Sequence, residues 1–161
     1  MREKRRSLLG LLGALMLALA AAFAAAPAQA AAPPDRDLGH TVILPKPAGG
    51  VSTRSVAAVP GISPSTNVSY GVPGQSITCP SGNLCAGAWD TSRNQWKIFY
   101  LYSCKRYALT NWLDWGWFDN AQTGGAIGYF YGQNGNVLRT VYPGGGIQSY
   151  YWDAVWSIRN C

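Results

Sequence analysis

Beyond residue 75 the chain reads as short apolar runs separated by turn-forming clusters. Segments 84–89, 95–102, 127–131, 137–142 and 154–158 are rich in aromatic and β-branched residues, and Gly, Asn, Ser and Pro collect between them, as at 132–136 and 143–146. Runs of this length and spacing predict an all-β fold. Only 106–113 lacks Gly and Pro in a way that admits a turn or two of helix. Sliding the chain on itself until Trp89 meets Tyr131 also pairs Asn94 with Asn136, Trp96 with Leu138, Lys97 with Arg139, Phe99 with Val141 and Tyr100 with Tyr142. Two copies of a unit of about 40 residues have the length of a Greek key each. The expected architecture is therefore a small Greek-key β-sandwich of two keys.

The N-terminal part has a different character. A basic head at Arg2, Lys4, Arg5 and Arg6 precedes an apolar run at 8–26 and a small-residue site at Ala28-Gln29-Ala30. This is the pattern of a secretory signal peptide over 1–30. Residues 31–75 hold seven prolines and a single aromatic, Tyr70, too little apolar area to offset the entropy of ordering, and are expected to form a disordered linker or pro-segment. The domain is expected at 76–161. Its stretch from Cys79 to Cys161 carries all seven Trp, eight of the nine Tyr and three of the four Phe, and aromatic rings bring large buried areas to a small core.

Charge and residue usage narrow the function. The whole chain has 13 Lys and Arg against 7 Asp and Glu, and removing the signal segment leaves 9 against 6. A net charge near +3, dispersed along the sequence, does not point to nucleic acid. No second apolar run of about 18 residues is present to span a membrane. Glutamate is absent after Glu3, and the one histidine, His40, lies in the segment read as a tail. The four cysteines, Cys79, Cys85, Cys104 and Cys161, are accordingly read as disulfides of a secreted, extracellular monomer rather than as metal ligands. Four cysteines allow three connectivities. A local Cys79–Cys85 bridge is geometrically easy because Pro80 and Gly82 turn the chain, and it leaves Cys104 to Cys161.

Cys79-Pro80-Ser81-Gly82-Asn83-Leu84-Cys85 resembles the opening of the secreted actinobacterial metalloproteinase-inhibitor family, whose fold is similar to a βγ-crystallin domain. Tyr142-Pro143-Gly144-Gly145 through Trp156-Ser157-Ile158-Arg159 resembles a second crystallin-type key. The likeness implies a binding protein that occupies the cleft of an extracellular protease without turnover. Ser81, Gly82, Asn83 and Leu84 of the bridged loop are the candidate contacts, with the Gly-rich loops 132–136 and 143–146 beside them. The inhibitors carry their inhibitory bond in a loop closed by a second close cysteine pair, which this chain lacks.

Three further patterns bear on chemistry. Asp119-Asn120-Ala121-Gln122-Thr123-Gly124 resembles the calcium signature of βγ-crystallin-like domains, with Gly in place of the final Ser. Asp119, Asn120 and Thr123 would be its oxygen ligands. Trp112, Trp115 and Trp117 suggest ring stacking on a glycan or cell-wall polymer, with Asp114, Asn111 or Gln148 binding hydroxyls. In a strand, Trp115 and Trp117 share one face and Trp112 takes the other. Trp96 and Trp156 are expected in the core. Catalysis finds little support, since Ser92 and Ser103 have no histidine partner to activate them and no free thiol is expected. No cofactor other than calcium is suggested.

Overall fold

The computed structural model describes residues 38–48 and 59–161. The signal segment 1–30, and the parts of the linker reading at 31–37 and 49–58, lie outside the described residues. Short runs of aromatic and β-branched residues, alternating in strands such as Arg106–Thr110 and buried on both faces in Leu84–Asp90, build twelve strands, and no helix occurs among the described residues. In chain order they are β1 (His40–Ile43), β2 (Gly61–Ser63), β3 (Asn67–Gly71), β4 (Ser76–Cys79), β5 (Leu84–Asp90), β6 (Gln95–Leu101), β7 (Arg106–Thr110), β8 (Trp115–Asn120), β9 (Gly128–Tyr131), β10 (Val137–Val141), β11 (Gln148–Tyr151) and β12 (Ser157–Arg159). The all-β expectation holds. The stretch that admitted helix instead forms β7, with Tyr107 buried and Leu109 half-buried while Arg106, Ala108 and Thr110 are exposed. That period of two is a strand's, not a helix's.

Ten strands make two antiparallel five-stranded sheets, in the orders β11-β8-β5-β6-β3 (sheet I) and β10-β9-β12-β7-β2 (sheet II). The two four-strand units have the same plan. In the first, β5, β6 and β8 lie in sheet I and β7 crosses to sheet II; in the second, β9, β10 and β12 lie in sheet II and β11 crosses to sheet I. The starts of β10, β11 and β12 follow those of β6, β7 and β8 at one constant interval, the same one that brings Trp89 onto Tyr131. Exchange of the third strand of each unit locks the two sheets together.

Between the sheets Leu84, Ala86, Ala88, Phe99, Leu101 and Phe118 of sheet I meet Tyr107, Phe130, Val141 and Ile158 of sheet II. Phe118 and Phe130 pack edge to face with centroids 5.1 Å apart, a preferred aromatic geometry. Trp112 and Trp152 seal this core from the connecting segments.

A third layer overturns part of the linker reading. β1 pairs antiparallel with β4 as a two-stranded arm, and the outer face of sheet I packs a second core under it, with Val42, Leu44 and Cys79 against Cys85, Trp96, Ile98 and Trp117. β2 and β3 complete sheets II and I by pairing with β7 and β6. The described residues of the segment between 31 and 75 are thus structural, and the folded unit begins before residue 76. Few apolar residues suffice because those present alternate: Val42 and Leu44 are buried while Thr41 and Ile43 face out. The segment also supplies acceptors for two indoles. Trp96 Nε1 donates to Pro45 O at 2.8 Å and Trp112 Nε1 to Gly61 O at 2.8 Å.

Two glycines permit the close approach of rings from both sides. A Cβ at Gly87 would stand 2.2 Å from Trp117 Nε1, and one at Gly116 would stand 2.0 Å from Trp152 Nε1. Cys79 bonds Cys85 and Cys104 bonds Cys161, the connectivity that leaves no free cysteine among the described residues.

Leu44→Ala is expected to cost about 2–5 kcal/mol, as truncation of a buried leucine does, measured by chemical denaturation. A residue in a disordered linker would leave the transition where it was.

Candidate functional site

The bridged loop is a fixture of the fold. Cys79, Leu84 and Cys85 are fully buried and Asn83 nearly so. Gly82 N–H donates to Ala121 O at 2.8 Å, and Ala121 N–H donates to Asn83 O at 2.9 Å. Asn83 Nδ2 caps the turn through Pro80 O at 3.2 Å. Of the four candidate protease contacts, only Ser81 and Gly82 reach the surface, and only in part. Leu84 points into the core between the sheets. A loop held in this way is rigid but withdrawn, and it staples β4 to β5.

The calcium candidates are not brought together. Asp119 and Asn120 are successive residues of β8, so their side chains leave opposite faces. The Asn120 amide is already engaged: Nδ2 donates to Val141 O at 3.0 Å and Oδ1 accepts from Gln122 N–H at 3.1 Å. Thr123 lies exposed in the loop beyond. The Asp119 carboxylate meets His40, whose Nδ1 lies 3.1 Å and 3.0 Å from the two oxygens. His40 therefore belongs to β1 and to the folded unit, not to a tail. The contact closes a ring: His40 lies opposite Cys79 in the arm, Cys79 bonds Cys85, and Cys85 lies opposite Asp119 in sheet I. The carboxylate is wholly buried while the imidazole keeps 38% of its side chain in solvent.

Of the three clustered tryptophans, Trp115 and Trp117 share a face of β8, while Trp112 precedes that strand in the connecting segment. Trp112 enters the core between the sheets, its ring 4.7 Å from Phe99 and 5.1 Å from Trp152. Trp115 and Trp117 both face outward from sheet I, but the arm covers Trp117 completely. Trp115 lies beyond that cover, 45% exposed. Trp156, expected in the core, is exposed instead. Its neighbour Val155 turns inward, and the strand proper starts only at Ser157.

Trp115 has a partner that its own sequence neighbourhood does not reveal. Tyr151 of edge strand β11 stands opposite it in register, is 44% exposed, and packs edge to face at 5.6 Å between centroids. The Tyr151 hydroxyl donates to Asp153 Oδ2 at 2.7 Å. Asp153 Oδ1 accepts from Asp114 N–H at 2.6 Å, which holds Asp114 in the left-handed region at φ 58°. The bond to Asp153 and that group's negative charge raise the Tyr151 phenol above its ordinary range, with burial and Asp114 adding to the effect. Two open rings beside two carboxylates thus form a small amphipathic platform. Asn111 Nδ2 donates to Val59 O and Gln148 Oε1 accepts from Arg139, whereas Asp153 and Asp114 both act on the Tyr151 phenol and are the acidic groups at the platform.

No family model, curated protein or solved structure matches the chain. The site is therefore read from its own chemistry.

Asp153→Asn is expected to lower the pH at which Tyr151 ionises, because the neutral amide withdraws the charge that opposes a phenolate. Tyrosinate absorbance, with Tyr151→Phe as the reference, measures the shift.

Proposed function

We propose that the protein is a secreted binding protein that acts without turnover and takes carbohydrate across the Trp115–Tyr151 platform. The observation that carries this reading is the pair of exposed rings, opposite in register at a sheet edge, with the Asp153 carboxylate bonded to the Tyr151 hydroxyl and the negative charge of Asp114 felt at the same phenol. Aromatic faces stack on the apolar faces of sugar rings, and carboxylates accept from their hydroxyls. The platform is also pre-formed. The Tyr151–Asp153 bond and the backbone bond to Asp114 fix its geometry, so little entropy is lost on binding. Two disulfides and a layered aromatic core fit an oxidising, extracellular setting.

Occupation of a protease cleft is the second reading, and one observation favours it. Tyr142 and Ile147 are exposed on either side of the turn at 143–146, and Gly144 and Gly146 both adopt positive φ. This turn is more exposed than the Cys79–Cys85 loop and so better placed for such contact.

Binding to insoluble cellulose, chitin and bacterial cell wall, followed by tryptophan fluorescence, tests the first reading. Trp115→Ala and Tyr151→Ala should each weaken binding at least tenfold and leave the melting temperature nearly unchanged. If no polymer binds, or both variants bind as the parent does, the platform is not a sugar site. Stoichiometric inhibition of a secreted protease, lost on substituting Tyr142, would then establish the second reading.

A further inference from the structure

The outer face of sheet II is chemically unlike that of sheet I. Strands β2, β7, β9, β10 and β12 contain no acidic residue but three arginines, Arg106, Arg139 and Arg159. Arg139 pairs with core-facing Phe130 and reaches Gln148. Arg106 and Arg159 alternate with buried Tyr107 and Ile158 and so project outward.

They stand directly opposite each other on neighbouring strands β7 and β12. Like charges so placed repel and weaken a sheet. Among the described residues no carboxylate lies within ion-pair distance of either arginine, the one such basic–acidic contact being that of His40 with Asp119. Arg106 is held off by the Tyr131 ring, its guanidinium carbon 3.8 Å from the centroid, a cation–π contact. Tyr129 lies opposite Arg159 on its other side. Lys105 joins the two arginines and Cys104 in lining a recess of about 460 Å³. The internal repeat sharpens the contrast. Trp117, sealed under the arm, has Arg159 as its counterpart in the second unit, and here the face is left open.

We propose that this face binds an anionic polysaccharide, a linear chain with sulfate or carboxylate groups on its sugar rings, through Arg106, Arg159 and Lys105. A bound anion would cancel the repulsion that the free protein tolerates. Guanidinium forks suit planar or tetrahedral oxyanions, and the phenols of Tyr129 and Tyr131 add hydroxyls alongside. Strands β7, β9 and β12 are each paired on both sides, so no backbone is on offer for a peptide to extend the sheet. Arg106 covers the Tyr131 ring, which removes a stacking surface that a nucleic-acid base would use. This proposal is independent of the Trp115–Tyr151 reading, which concerns the opposite side of the molecule.

The test uses the full exported chain and dextran sulfate as the probe, with neutral dextran, polyglutamate and oligo-dT as the other arms. Dextran sulfate should bind with an affinity that falls as salt rises, and neutral dextran should not bind. Arg106→Gln and Arg159→Gln should each weaken binding at least fivefold, while Arg93→Gln, the same loss of charge away from this face, should change it less than twofold. Arg159→Gln should also melt at a higher temperature than the parent, because the opposed charges are gone while the Arg106–Tyr131 contact stays. Equal losses in all three variants would reduce the effect to net charge and overturn the site. Oligo-dT or polyglutamate binding as tightly as dextran sulfate would overturn the choice of ligand.

Discussion

Sheet I is apolar on both faces, and a sheet of that kind is stable only if each face is covered. One cover is sheet II. The other is the β1–β4 arm, which lays Val42 and Leu44 over Trp96, Ile98 and Trp117. Two polar contacts hold it in register. Trp96 donates its indole N–H to Pro45, which satisfies a polar group that burial would otherwise penalise. His40 meets the buried Asp119 carboxylate, which has to be paired to be tolerated inside the molecule. Everything placed on the sandwich inherits its rigidity from this cover, including the Trp115–Tyr151 platform just outside its edge.

The two halves share a backbone plan and differ on their surfaces. The first half is aromatic on its outer side and is covered by an added layer. The second carries arginine and tyrosine there and remains open to water. A repeated strand plan thus offers two unlike surfaces on opposite sides, one built from rings and carboxylates and the other from cations.

Much of the fold was legible in the sequence because strand period and turn residues are local signals. Leu84–Asp90, Gln95–Leu101, Gly128–Tyr131 and Val137–Val141 lie close to the runs that aromatic and β-branched residues mark, and the internal repeat recurs in the strand starts. The arm escaped because Pro45 and Pro47 dominate the composition around it, while its own signal is the brief alternation of Val42 and Leu44. The letters of the calcium motif do not reveal that the Asp119 and Asn120 side chains leave opposite faces of β8 and meet His40 on one side and Val141 and Gln122 on the other. The platform was half legible: Trp115 stood out, but Tyr151 and Asp153 reach it across a strand pairing that no local pattern encodes. Trp156 shows the limit of hydrophobicity as a guide to burial, since its neighbours Val155 and Ile158 fill the space it was expected to occupy.

The two disulfides differ in how the solvent reaches them. Cys79, at the end of β4 in the arm, and Cys85, in β5 of sheet I, are fully buried, whereas Cys104 is exposed and Cys161 partly so. Thiolate attack on a disulfide requires access to sulfur. A small thiol therefore opens the Cys104–Cys161 bridge directly, but reaches Cys79–Cys85 only when β1 peels from β4 and His40 leaves Asp119. The rate at which the inner bridge is reduced thus reports how often β1 comes away.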